Sequence, residues 1–68
     1  MKLYEVPPKT KVRVLKAEAP PPGALFVPEG EVVFFDHIDG MYSYCLDSNN
    51  NVVHLKAWTE VEIINERN

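Results

Sequence analysis

Cysteine is nearly absent. The 68-residue chain holds one, Cys45, so no disulfide can form within it and the fold must stand without that staple. No apolar run approaches the roughly 20 residues of a membrane span, so a membrane partner is not expected. The first residues do not read as a secretory signal, and with a single thiol this sets the expectation of a reducing, cytoplasmic setting. Basic residues are few. Seven Lys and Arg stand against ten Asp and Glu, a net charge of −3. Phosphate contacts need clustered Lys and Arg, which makes nucleic acid a disfavoured partner. Repeats are missing, and so is any amphipathic helix of useful length. A chain this short buries only roughly 60 % of its unfolded surface and reaches a stability of about 3–5 kcal/mol unaided. Few residues remain to support a catalytic site once the core is filled, so neither an enzyme nor a cofactor is expected.

Apolar residues make up 46 % of the sequence, too many for a disordered tail, and the length fits one domain over 1–68 with its core in 10–64. The densest apolar and aromatic stretch is 30–46, GEVVFFDHIDGMYSYCL. It carries a turn signal, Asp39-Gly40, at its middle and reads as a β-hairpin. Residues 10–15 (TKVRVL) alternate, with Val12 and Val14 on one side and Lys11 and Arg13 on the other, the period of a half-buried strand. The stretch 17–28 contains Pro20-Pro21-Pro22-Gly23 and reads as a long loop, with Leu25, Phe26 and Val27 expected to tuck back onto the core. Residues 47–51 (DSNNN) form a polar hairpin turn, 52–55 another strand, 56–59 a single 3₁₀ turn, and 60–64 (EVEII) the last strand, with Val61 and Ile63 inward. A short strand at 1–6 is an open alternative, and 65–68 are expected to fray. Short strands at this spacing mean an all-β sandwich or barrel, and at this length a five-stranded barrel, whose closure removes exposed edges.

Register decides which face of the hairpin meets a partner. A two-residue Asp39-Gly40 turn pairs Ile38 with Met41 and puts Phe35, Tyr42 and Tyr44 on one face. A three-residue Ile38-Asp39-Gly40 loop pairs His37 with Met41. Phe35, Met41, Ser43 and Cys45 then share the core face, and Tyr42 and Tyr44 turn outward. The second is favoured, because small Ser43 and Cys45 leave room for Phe35 and tyrosines suit wet interfaces. Outward Lys11 and Arg13 on the first strand complement outward Glu60 and Glu62 on the last, which predicts that these two strands pair.

Taken together, 10–64 resemble an SH3-like barrel. Val12-Arg13-Val14 looks like its first strand, and the loop through Pro22 and Phe26 like its long RT-type loop. FVPEGEVV at 26–33 resembles the diverging turn, Gly40-Met41-Tyr42-Ser43-Tyr44 the start of the aromatic third strand, and VHLKAWTEV at 53–61 the fourth strand, 3₁₀ turn and fifth strand. The resemblance implies the fold, and a groove in which Tyr42 matches an aromatic position and Trp58 flanks it. Lys56-Ala57-Trp58-Thr59 replaces the family's P-x-x-Y run, so recognition of proline-rich ligands does not follow. The format also resembles small phage-encoded or bacterial proteins.

The candidate binding residues are Tyr42, Tyr44 and Trp58 as anchors, because Tyr and Trp dominate interface hot spots, with Asp36, Asp39 and Glu29 as an acidic rim that steers a basic segment. The plain alternative for Trp58 is a plug in one end of the barrel. Asp36, His37, Asp39 and His54 could suggest a metal, but Asp36 and His37 should point to opposite faces of one strand, and real sites need convergent ligands. Cys45 with His54 lacks an orienting third group, so a small core cysteine is expected. The leading expectation is a non-catalytic module that binds a protein partner. A nucleic-acid-associated barrel that stacks bases on the same aromatics and a homo-oligomeric subunit joined through an exposed edge strand or apolar patch are the alternatives.

Overall fold

In a computed structural model of the chain, residues 1–17, 19–20 and 22–64 are described. Pro21, inside the proline run, and 65–68, the expected frayed end, lie outside the described residues. Five strands form one antiparallel sheet: β1 Thr10–Val14, β2 Val32–Asp39, β3 Tyr42–Leu46, β4 Val52–Val53 and β5 Val61–Ile63, in the order β4-β3-β2-β1-β5. Among the described residues no helix is long and apolar enough to cross a membrane.

Alternation builds the core. Val12 and Val14 of β1, Val33 and Phe35 of β2 and Cys45 of β3 are buried, with Val53 and Val61 from the edge strands. Phe35 lies opposite Cys45, and Cys45 opposite Val53, so the large ring meets small and branched neighbours, as close packing requires. Burial pushes the Cys45 thiol up from its ordinary value. A buried thiol held protonated is a core residue rather than a nucleophile.

The expected pairing of the end strands is present. Arg13 lies opposite Glu62 across β1 and β5, and its Nη1 is 2.9 Å from the Glu62 carboxylate. Both side chains are exposed, so the pair sets register more than stability. Closure into a barrel is not seen, because β4 and β5 stay at opposite edges of the sheet. The chain between them runs along β3 as far as Ala57 and then turns, with the Thr59 amide donating to the Lys56 carbonyl. The first residues meet it there. Leu3 N–H donates to Thr59 O, Tyr4 N–H to Ala57 O, and Val61 N–H to Met1 O. This segment is a 3₁₀ turn, Leu3–Glu5, rather than a strand. It buries Leu3 and Val6 under the open end, and it occupies the place that strand-to-strand closure would have used.

Other expectations are corrected. Leu25 and Phe26 do not tuck in and only Val27 is buried, because the limb belongs to no strand that would hold it on the core and reaches the sheet only as it nears Gly30, whose amide donates to Val14. Ile63 shares a strand face with buried Val61 but stands exposed at the sheet margin. The hairpin turns on Gly40-Met41, with Asp39 opposite Tyr42. Gly40 has φ +66° and Met41 is not left-handed, the pattern of a turn with glycine at its first central position. Met41 is therefore exposed rather than in the core. The tyrosines nonetheless face away from the core, because β2 carries one extra residue between Phe35 and His37. This bulge at Asp36 turns Phe35 and Ile38 to the same side. The Asp36 carbonyl accepts from the Lys9 amide.

One core position conflicts with its surroundings. Thr59 is fully buried and its hydroxyl has no hydrogen-bond partner among the described residues. Valine replaces that hydroxyl with a methyl of similar size and removes the orphaned polar group. Thr59→Val is expected to raise stability by about 1 kcal/mol, seen as a higher urea midpoint with an unchanged slope. A lower midpoint would show that the hydroxyl is satisfied in solution.

Candidate functional site

The exposed aromatics are placed by an interrupted ladder. β3 and the chain after it keep one register along their whole length. Asp47 N–H donates to Asn51 O, Cys45 lies opposite Val53, Tyr42 opposite Lys56, and Ala57 N–H donates to Met41 O. The rung between Ser43 and Leu55 is different. Ser43 Oγ donates to Leu55 O at 2.9 Å and accepts from Leu55 N at 3.1 Å. With its own proton committed to Leu55, Ser43 Oγ is the acceptor in its 3.3 Å contact with the Cys45 thiol. The Ser43 carbonyl, freed from the ladder, lies 2.9 Å from His54 Nδ1. A carbonyl only accepts, so Nδ1 carries the proton and the imidazole is locked against the strand.

His54 in turn meets Tyr44 edge to face, with ring centroids 5.1 Å apart, and His37 stacks on Tyr44 at 5.4 Å with a 6° interplanar angle. The His37–Tyr44 cross-strand pair exists only in the bulged register. The bulge also overturns the expectation that Asp36 and His37 diverge, since the Asp36 carboxylate is 3.5 Å from His37 Nδ1. Among the described residues no group of three metal-ligating side chains gathers.

Toward the hairpin tip, Tyr42 continues this outer face, with exposed Asp39 opposite it. Lys56, the bridge partner of Tyr42, reaches within 5.8 Å of the Trp58 ring centroid. Trp58 is 39 % exposed and does not plug the end of the sheet, because buried Ala57 and Thr59 on either side of it take the inward positions. Ala57 is the hub of this end. Its amide donates to Met41, its carbonyl accepts from Tyr4, and Met41 and Tyr4 are 64 % and 59 % exposed. Of the expected site residues, Tyr42, Tyr44, Trp58, Asp36 and Asp39 share this region. Glu29 does not, since it precedes Gly30, whose amide bonds Val14 at the other end of β1 and β2.

Sequence reasoning missed Tyr4, Met41, Lys56 and His37 as members of this surface. Tyr4 and Met41 arrive through backbone bonds to Ala57 that no local pattern announces. It also missed a groove of about 400 Å³ farther along the outer face, lined by Lys11, Val32, Phe34 and Leu46 and walled by Asp47 and Ser48 of the polar turn. The exposed position of Phe34, next to Phe35 in a strand, was the available signal. The turn is held by the Asp47 carboxylate, which accepts from the Asn49 and Asn51 amides at 2.9 Å, with Asn50 at φ +64°. The Asn51 amide holds Asp47 below its ordinary carboxylate value.

No protein-family model, curated protein or solved structure matches the chain.

Proposed function

We propose that the chain is a non-catalytic protein-interaction module with an SH3-like architecture, binding a protein partner through the aromatic outer face and hairpin end. The observation that carries this is the cluster around Ala57, where Tyr4, Met41 and Trp58 stand exposed on a backbone pinned by three segments. Large apolar side chains presented on a rigid frame lose little conformational freedom on binding, and Tyr and Trp are favoured as anchors. Tyr42 and Tyr44 extend the surface along β3. Asp36 and Asp39 give it an acidic margin that suits a basic segment of the partner. The architecture is supported by the β1–β5 pairing, the turn at Lys56–Thr59 and the aromatic third strand. A single buried cysteine fits a reducing, cytoplasmic setting.

Affinity capture from lysate of the native host tests this reading, with a folded Tyr42→Ala, Tyr44→Ala, Trp58→Ala variant as the control. The expected result is a protein partner retained by the natural chain and lost, at least tenfold, with the variant. Equal capture by both, or none by either, contradicts the reading.

A further inference from the structure

The two margins of the sheet are finished differently. At β5, Met1 bonds Val61 on the outer side, and Glu60 and Glu62 put charge along the margin. At β4 neither device is present. Antiparallel ladders alternate, so successive residues of an edge strand point their N–H and C=O groups inward and outward in turn. Asn51 and Val53 face β3, which leaves Val52 and His54 facing out. Their backbone groups have no partner among the described residues. Nor is there a charge to guard them, because 48–55, SNNNVVHL, contains no Asp, Glu, Lys or Arg. Natural sheets usually protect such an edge with charge, proline or a covering segment.

We infer that this edge pairs with the same edge of a second copy of the chain, antiparallel about a two-fold axis at Val53. This inference does not rest on the aromatic-end reading. Charge selects the occupant. Copies carrying a net charge of −3 repel one another wherever their acidic side chains meet, and the β4 edge is a stretch where two copies come together without bringing like charges face to face. Geometry selects the register. With Val53 opposite Val53 of the other copy, Val52 pairs with His54 across the axis, and every outward N–H and C=O of those residues finds a partner. Shifting the axis to Val52 would bring in Asn50, whose φ of +64° breaks the extended strand. Shifting it to His54 would bring in Lys56, whose carbonyl already accepts from the Thr59 amide, and set it against Val52. The outer side chains agree. Val52, 43 % exposed, ends a cross-strand row from Lys11 through Phe34 and Leu46, and pairing covers it with an imidazole that Ser43 already holds in place. The edge is short, so the dimer is weak and populated only at high protein concentration.

Sedimentation equilibrium and amide-shift NMR over a wide concentration series test the inference. The expected result is an apparent mass rising toward twice the monomer, with concentration-dependent shifts confined to 51–55. Val52→Pro removes an outward donor and leaves the β3 ladder intact, so it should stay folded and monomeric throughout. Val52→Glu keeps the backbone donor and puts a carboxylate from each copy on either side of the axis, in place of the apolar contact, and it should weaken association at least tenfold. It serves alone if the proline variant fails to fold. A constant monomer mass at the highest concentration overturns the inference. So does association whose shifts fall at Met41, Tyr42 and Trp58, or association unchanged by Val52→Glu. An edge that is perturbed only by an added extended peptide, with no self-association, overturns the second copy as occupant.

Discussion

Phe35→Ala is expected to leave the chain largely unfolded at 25 °C. Phe35 is the largest of the fully buried side chains. It sits between Thr10 of β1 and Cys45 of β3, so its ring is shared by the central strands. Truncating a buried Phe costs about 3–5 kcal/mol, since the transfer loss is joined by a cavity the neighbours fill only in part. That equals the whole stability expected of so small a domain. Thermal unfolding by circular dichroism should show a cooperative transition for the natural chain and none, or one starting from a largely unfolded baseline, for the variant. A midpoint lowered by only a few degrees would mean that the core can collapse around the missing ring. Phe34→Ala, one residue away and 38 % exposed, is the matched control and should move the midpoint little.

Ser43→Ala is the second large effect, and it comes from hydrogen bonding rather than volume. The hydroxyl serves both Leu55 N–H and Leu55 C=O, and Leu55 is buried. Alanine leaves two backbone groups without partners in a dry site, and each orphaned group costs about 1–3 kcal/mol. The expected loss is about 3 kcal/mol, read as a lower urea midpoint with little change in slope. Ser43→Thr keeps the hydroxyl and should recover part of it, less the cost of fitting a methyl beside Cys45. A Ser43→Ala loss below about 0.5 kcal/mol would indicate that β3 and Leu55 can close into an ordinary rung. Such closure would take the Ser43 carbonyl from His54, so the His54–Tyr44 contact should loosen in the same variant.

Much of the fold was legible in the residues themselves. Alternation in 10–15 gave β1 and its buried face, and the opposite charges of Arg13 and Glu62 gave the β1–β5 pairing. The small side chains of Ser43 and Cys45 marked their burial, Cys45 opposite Phe35 and Ser43 opposite Ile38. The exposure of Tyr44 followed from that burial, although by a route the sequence concealed. No residue type announces a bulge at Asp36, and the glycine that starts the turn sits in a dipeptide compatible with several loops. The open sheet was hidden for a related reason. Whether β4 reaches β5 depends on what the first residues do, and MKLYEV gives no period that distinguishes a strand from the 3₁₀ turn that buries Leu3. The aromatic site was legible as a set of residue types, Tyr42, Tyr44 and Trp58. Its assembly was not, because Tyr4 and Met41 join it through backbone bonds to Ala57, contacts between segments distant in sequence.

The surface around Ala57 can be read directly, because Trp58 is the only tryptophan in the chain and is partly exposed. The decisive measurement is Trp58 emission and its quenching by acrylamide as a partner free of tryptophan, or one carrying a non-emitting tryptophan analogue, is added to saturation. A partner seated on Tyr42 and Trp58 should shift the emission to shorter wavelength and cut the quenching constant at least twofold. Saturated binding that leaves both the emission and the quenching unchanged would contradict the account and move the interaction to another face of the sheet.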